Sequence, residues 1–396
     1  MNRVVVIGAG VLGASVTYHL ARAGAHVVLV EQAPGPAAGT SGATFAADVA
    51  HLKTPYAYHR LNRRGSEGHL RLADELGGPG WRHPVPHLQW ADDEDGRRTL
   101  RENAARAREW GHDCRLAPAS ALRDLAPAAD PAACAGEEIV VHGGGAWFDA
   151  PRFVRTLLDA AARRGTVELH YGTGVTGLSR DGERVTGVRA GARTWHADTV
   201  VNCAGPGADR VAALAGVRLP LRRVPGLIMT TRPLPGAPLT AILTVPGLDL
   251  RPTADGGVLA LSWEIDARLR GADAGLPREL HRRAAALLPG VARVGIADAR
   301  TGVRPVPLDG LPLVGAAVAA PGLYHLVSHS GVTLAPVLGE LAAREIVGGT
   351  AVTDLAAYRP DRPADDAVHD ENLRAMDRRG ARPSAAVHDA EAQAEV

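Results

Sequence analysis

Gly8, Gly10 and Gly13 stand in the order G-x-G-x-x-G directly after the apolar run Val4–Ile7, and Glu31 closes a second apolar run, His26–Val30. Residues of these types at this spacing suit the binding of a dinucleotide. Gly8 permits a tight turn, Gly10 lets the backbone approach a pyrophosphate, and Gly13 allows a helix to pack closely on a strand. A helix that starts at the turn offers free N–H groups and a positive dipole end to the phosphates. Glu31 lies roughly 20 residues beyond the turn, close to the spacing of an acid that accepts from ribose hydroxyls. An acid there favours an unphosphorylated ribose, hence FAD or NAD rather than NADP. The positioning elements follow directly: a strand over 4–7, a helix after Gly10, and a second strand ending at Glu31. A secretory signal peptide would also begin with a basic residue and an apolar run. This run, however, carries three spaced glycines and continues into an amphipathic helix and a strand.

The remaining composition narrows the class. The chain has 396 residues, 44 lysines and arginines, 43 aspartates and glutamates, and a net charge of +1. That length buries one large domain or two moderate ones, and that balance argues against a nucleic-acid partner. No apolar run is long enough to span a bilayer. Three cysteines, Cys114, Cys134 and Cys203, form no CxxC and no zinc spacing, so no metal is expected. Their small odd number fits a reduced, cytoplasmic protein without structural disulfides. The 46 glycines and 28 prolines are dispersed and mark turns; no internal repeat is visible.

Further along, Gly39-Thr40-Ser41-Gly42-Ala43-Thr44 is a small-residue loop able to approach a ligand closely. Helical character runs from about Pro55 to Glu75, with further polar helix and loop over 96–124. Pro151, a favourable first helical residue, opens a helix to about Arg164 whose apolar positions Phe153, Leu157, Leu158 and Ala161 recur every three to four residues. Strand Val167–Tyr171 follows, then a hairpin in which Val175 and Val185 flank Asp181-Gly182. Strand Thr199–Cys203 runs into Ala204-Gly205-Pro206-Gly207, where missing side chains again let backbone meet ligand. The section from Arg222 to Ile265 is β-rich, with strands Leu227–Thr230 and Val258–Trp263. A helix follows over about Arg278–Leu288, and then Thr301–Gly315, strand Leu323–Ser328 and a helix from near Thr333 return to the α/β style. The fold class is therefore α/β: a Rossmann-type domain for a dinucleotide, FAD or NAD, discontinuous, with an inserted β-rich α+β substrate domain. The expected division is 1–50, 140–215 and 299–358 for the nucleotide domain and 51–139 and 216–298 for the inserted one. A charge-rich tail, 359–396, is expected to be peripheral or disordered.

Taken together, several motifs resemble the D-amino acid oxidase superfamily of flavoproteins, which includes glycine oxidase and monomeric sarcosine oxidase. They are Val6–Gly13, Glu31, Thr40-Ser41-Gly42, Val200–Pro206, Gly302-Val303-Arg304-Pro305 with Asp309-Gly310-Leu311-Pro312, and His329–Pro336. The resemblance spans roughly residues 3–358 and implies FAD as the cofactor. It places FAD against Gly8, Gly10, Val11, Leu12, Gly13, Glu31 and Gln32, and against Thr40, Ser41, Thr44 and Val175. It adds Cys203, Ala204, Gly205 and Gly302, and the segment Ser330, Gly331, Val332, Thr333. It also implies that Arg304 holds a substrate carboxylate, a task that suits a planar bidentate donor; the alternative is a structural arginine paired with Asp309 or another acid. His329 is a candidate contact to flavin or substrate, or a strand-end histidine. Trp263 and His51 are candidate pocket residues, with an ordinary core aromatic as the alternative for Trp263. Glycine-oxidase-like members can carry a second arginine in the segment matching His329-Ser330-Gly331; its absence here counts against a glycine-sized substrate. Sarcosine oxidases tether FAD through a cysteine near the G-x-R-P segment, and dimethylglycine-dehydrogenase-like members through a histidine at the position of Ala46. Neither residue is present, so FAD is expected to be noncovalent.

The activity so implied is FAD-dependent oxidation of an amino acid or N-alkylamino acid: hydride passes from the α C–H to flavin N5, and the resulting imine is hydrolysed. The partners are a small amine or amino-acid substrate and oxygen or another electron acceptor. A 2-hydroxy-acid dehydrogenase of the same superfamily and a noncatalytic flavin-binding protein are the alternatives. Lys53 is the chain's one lysine. Where arginine serves as the general cation, a solitary lysine points to a need for a compact charge or a pKa that burial can lower. It follows the Thr40-Ser41-Gly42 loop by about a dozen residues, in a segment able to return toward the flavin, where a positive charge would stabilise developing superoxide. The plain alternative is a surface lysine.

Overall fold

The structure is a computed structural model that describes residues 2–78, 80–134, 138–269 and 275–363. It divides into two compact units. Among the described residues, the first comprises those within 2–83, 148–223 and 303–363; the second comprises those within 84–147 and 224–302.

The first unit is built on a six-stranded sheet in the order Leu313–Ala316, Leu323–Val327, Thr199–Asn202, Arg3–Ile7, His26–Val30 and Val167–His170. All neighbours pair in parallel except the first pair. Continuous apolar runs such as Val4-Val5-Val6-Ile7 suit strands covered on both faces, and all four residues are buried. Helix Val11–Arg22 packs on helices Ala150–Ala162 and Gly331–Gly348. The approach to the last is close: Ser15 Oγ donates to the Ala335 carbonyl at 2.6 Å, and a Cβ on Gly339 would come within 2.3 Å of that hydroxyl. Beside the sheet lies a three-stranded antiparallel ribbon, Gly177–Asp181, Arg184–Ala190 and Arg193–His196.

Helix Tyr56–Glu75 also belongs to this unit, so residues 51–83 are not part of the inserted domain as the sequence suggested. The reason is a glycine-lined contact: a Cβ on Gly65 or Gly68 would meet the Thr333 carbonyl oxygen at 2.3 Å or Pro336 Cβ at 2.6 Å. Bare backbone at these two turns lets the helix lie against the start of Gly331–Gly348.

The chain beyond Arg359 is not peripheral at its start. Arg359 pairs with the buried Glu345, and Arg362 pairs with Asp309. Residues 364–396, which hold the rest of the expected tail, lie outside the described residues.

The second unit holds an eight-stranded sheet in the order Ile296–Pro307, Leu221–Thr231, Val258–Leu261, Leu248–Pro252, Ile242–Val245, His87–Gln89, Glu138–His142 and Cys114–Pro118. Residues 140–147, expected in the nucleotide domain, therefore fall in this unit. Alternation sends Leu88, Val141, Leu243, Val245, Leu250 and Ala260 into one core. The residues between them put polar groups on the opposite face. His87 Nε2 lies 2.9 Å from Thr244 Oγ1, and His142 Nε2 lies 2.9 Å from Gln89 Oε1. Trp263 sits just past this sheet. It opens a short helical turn, Trp263–Asp266, rather than ending the strand as expected, because the Ser262 hydroxyl caps that turn at Ile265 N. It is half-buried, not a core aromatic.

Buried histidines set an acid limit on this fold. Burial pulls His19, His142 and His325 down to about 4, and His69 to about 3. In the unfolded chain each titrates near 6.5. The unfolded state thus binds more protons between those values, and stability is lost as pH falls from about 6.5 toward 4. Each of these groups contributes on the order of 3 kcal/mol to that loss. The thermal midpoint is expected to drop steeply over this window and to be flat from pH 7 to 8. An unchanged midpoint between pH 6.5 and 4.5 contradicts this.

Candidate cofactor and substrate site

The carboxyl end of the first unit's sheet opens into a cavity of about 670 Å3. Gly8, at φ +105°, makes the turn out of strand Arg3–Ile7, and a Cβ there would sit 2.5 Å from the Cys203 carbonyl oxygen. A Cβ on Gly13 would lie 1.9 Å from the Gly8 carbonyl oxygen, so the helix packs as closely as the motif requires. Gly10 occupies the N-cap of helix Val11–Arg22 and offers no side chain of its own to cap it, and the first turn holds no acid. That leaves the positive end of the helix toward the cavity for an anion.

Glu31 stands at one edge of the cavity. Its carboxylate accepts from Ala9 N at 2.7 Å through one oxygen and from Ala33 N at 2.8 Å through the other. Two backbone donors fix the group, and each oxygen keeps a lone pair for a hydroxyl. Ser41 accepts from Val11 N at 3.1 Å through its hydroxyl oxygen and keeps its proton to donate. Thr40 donates to the Val303 carbonyl at 2.5 Å, tying the small-residue loop to the segment that carries Arg304.

Of the residues expected at the cofactor, Gly8, Gly10, Glu31, Gln32, Thr40, Ser41, Val175, Cys203, Ala204 and Gly205 line the cavity. Val11, Leu12, Gly13, Thr44, Gly302, Ser330, Gly331, Val332 and Thr333 do not line it. Several of these are held by contacts of their own. The side chains of Val11 and Leu12 lie nearest to Gly331. Tyr58 donates to Ser330 Oγ at 3.1 Å, and the Val332 carbonyl is 2.8 Å from His69 Nε2. Sequence reasoning missed Thr173, Arg210, Arg223 and Val303, all of which line the cavity. Arg223 is held by both oxygens of Asp209 and by the Pro206 carbonyl. Its only signal was membership of a basic pair, Arg222-Arg223.

The residues present fit a flavin dinucleotide: an acid oriented for a ribose, a helix N-terminus without an acid beside a glycine turn, and further bare backbone at Gly39, Gly205 and Gly207. Cys203 is the one cysteine on the cavity wall, and burial pushes its thiol far above the ordinary range, so it makes a poor tethering nucleophile. Acid precipitation is expected to leave all the flavin in the supernatant, whereas flavin retained on the washed pellet contradicts noncovalent attachment. Glu31→Ala is expected to weaken FAD binding about tenfold or more, by loss of a charge-assisted acceptor. Equal dissociation constants for the apoproteins would remove that role.

His51, Lys53, Arg304, His329 and Trp263 lie outside this cavity. His51 and Lys53 are buried, at 5% and 2% exposure, so Lys53 is not the surface lysine of the plain reading. Arg304 and His329 are half-buried. Arg304 does not pair with Asp309. That carboxylate is taken by Arg362 on both oxygens and by Leu311 N. His329 follows strand Leu323–Val327, immediately before the helix whose N-cap is Ser330.

No helix among the described residues is long and apolar enough to cross a membrane, and no group of three or more metal-ligating side chains occurs among them.

Comparison with known proteins covers nearly the whole chain. Glycine oxidase of Pseudomonas aeruginosa is 29% identical over 368 residues, covering 91% of this chain and 98% of its own. A D-amino acid dehydrogenase of Cereibacter sphaeroides is 28% identical, covering 92% and 98%. The crystal structure of glycine oxidase from Geobacillus kaustophilus superposes with a TM-score of 0.81 at 23% identity, covering 91% of this chain and 99% of that one. Residues 3–345 match the family described as FAD-dependent oxidoreductase; the chain belongs to that family and is an FAD-dependent oxidoreductase.

Proposed function

We propose that this oxidoreductase acts on an amino acid or an N-alkylamino acid. The observation that carries the reading is the setting of Arg304. It is half-buried, next to Val303, whose carbonyl is bound by the Thr40 loop of the dinucleotide cavity. A guanidinium so placed is suited to grip a carboxylate by two parallel hydrogen bonds. The relatives named glycine oxidase and D-amino acid dehydrogenase support the same substrate class.

FAD, when bound, accepts the hydride from the substrate's α carbon. Arg304 orients the substrate by its carboxylate. The overall balance is amino acid, FAD and water giving 2-oxo acid, ammonia or amine, and reduced FAD. No side-chain base is required if the amine is neutral when it reacts. The segment His329-Ser330-Gly331 carries no arginine, which favours a substrate larger than glycine. Turnover with an amino or N-methylamino acid should release ammonia or methylamine in a one-to-one ratio with the 2-oxo acid. A protein that turns over 2-hydroxy acids and releases no nitrogen from any amino acid would overturn the proposal.

A further inference from the structure

Arg362 makes an unusually complete set of contacts for a residue near the end of the described chain. Nε donates to Asp309 Oδ2 at 2.7 Å, and Nη2 donates to Asp309 Oδ1 at 2.8 Å and to the Leu311 carbonyl at 3.0 Å. Nη1 donates to the Pro312 and Arg359 carbonyls, both at 2.9 Å. All five guanidinium N–H donors are thereby used. The side chains are well covered, at 15% exposure for Arg362 and 9% for Asp309. The adjoining chain is packed as well. A Cβ on Gly315 would lie 2.9 Å from Arg359 Nη1 and 3.2 Å from Pro360 Cδ. Arg359 itself binds Glu345, which also accepts from the Tyr324 hydroxyl.

The turn that Arg362 grips, 309–312, directly follows strand Ile296–Pro307 and directly precedes strand Leu313–Ala316. Gly310 N donates to the Pro307 carbonyl at 2.9 Å, closing the turn onto the strand end. Between the turn and Arg304 stand Pro305 and Pro307. Each proline fixes its own φ, and each restricts the residue before it to extended backbone. Arg304 precedes Pro305, so its backbone is restricted too. The short link from turn to arginine is therefore stiff, and a displacement of the turn passes to Arg304 instead of being absorbed.

We propose that Arg362 is a positioning residue for Arg304: by locking the Asp309–Pro312 turn it sets the place at which the Arg304 guanidinium meets the substrate carboxylate. This rests on the carboxylate reading of Arg304. A lysine at 362 would reach Asp309 but lacks the planar fork needed for three carbonyls and two carboxylate oxygens at once.

The test uses the FAD-loaded enzyme, the amino acid that reduces it fastest, and acetate as a carboxylate probe followed by its perturbation of the flavin spectrum. Arg362→Ala is expected to raise KM and the acetate Kd about tenfold each, with kcat within about threefold of the parent and full FAD content. Arg362→Lys should fall between the two. Parental KM and acetate Kd in Arg362→Ala would overturn the proposal. So would a fall in kcat together with FAD loss at unchanged KM, because that pattern marks a merely structural role. If Arg362→Ala does not fold, Arg362→Lys decides, and parental values in it overturn the proposal. Arg304→Ala is measured in parallel. If it binds acetate as the parent does, the carboxylate reading falls and this proposal with it. If it loses acetate affinity while the Arg362 variants keep theirs, only the positioning role falls.

Discussion

Arg304→Ala should cut kcat/KM for carboxylate-bearing substrates at least tens-fold, chiefly through KM. Removing one partner of a buried, hydrogen-bonded charge pair costs on the order of 2–5 kcal/mol, because the other charge is left uncompensated. The structure sharpens this expectation by removing one structural alternative, a pair with Asp309. An arginine serving Asp309 would, on removal, strand a buried carboxylate and lower stability, but Asp309 is saturated by Arg362 and Leu311 N. Arg304→Ala is therefore expected to fold, to keep its FAD and to fail at substrate binding. Steady-state kinetics with flavin content measured on the same preparation checks this. A variant that keeps its flavin and turns over amino acids like the parent would refute the role.

Lys53→Met should slow one of the two half-reactions, flavin reduction by substrate or reoxidation by oxygen, about tenfold or more without loss of FAD. The chain's one lysine is 2% exposed, in the short turn that precedes helix Tyr56–Glu75. Placing an ammonium out of water costs several kcal/mol unless neighbouring groups compensate it. A chain that uses arginine everywhere else has thus kept a compact cation at a buried position, a few residues before Tyr58, which reaches Ser330 Oγ at the start of helix Gly331–Gly348. Methionine keeps the length and removes the charge, so a change in rate reports the charge. Stopped-flow rates for both half-reactions within twofold of the parent would dismiss Lys53 from the chemistry.

The dinucleotide half of the site was legible because its requirements are local. A tight turn, a bare helix start and an acid at the next strand end are each written within 31 residues, and strands covered on both faces read as unbroken valine and isoleucine. What the sequence concealed depends on partners far along the chain. Gly65 and Gly68 carry no signal of their own in the sequence; only the Thr333 carbonyl and Pro336 reveal them as a packing surface. Asp309 looked available to Arg304 because its true partner stands 53 positions away, in a stretch whose charge and lack of aliphatics resembled a loose tail. Whether Lys53 is buried or on the surface stayed open, because burial of a charge has no periodicity to read. Trp263 is different: Ser262 is a preferred N-cap residue, so a signal for the helical turn was present beside the apparent strand.

The central claim, oxidation of an amine-bearing carboxylic acid at this site, is tested most directly by mixing the FAD-loaded protein anaerobically with D-, L- and N-methyl amino acids and with 2-hydroxy acids. Loss of the oxidised flavin's visible absorbance reports hydride transfer without any assumption about the final electron acceptor. The account predicts rapid, complete bleaching by at least one amino or N-methylamino acid, strongly slowed in Arg304→Ala at low substrate concentration, and none by the matching 2-hydroxy acid. Bleaching by hydroxy acids alone, or by nothing in the panel although dithionite reduces the flavin, would contradict it.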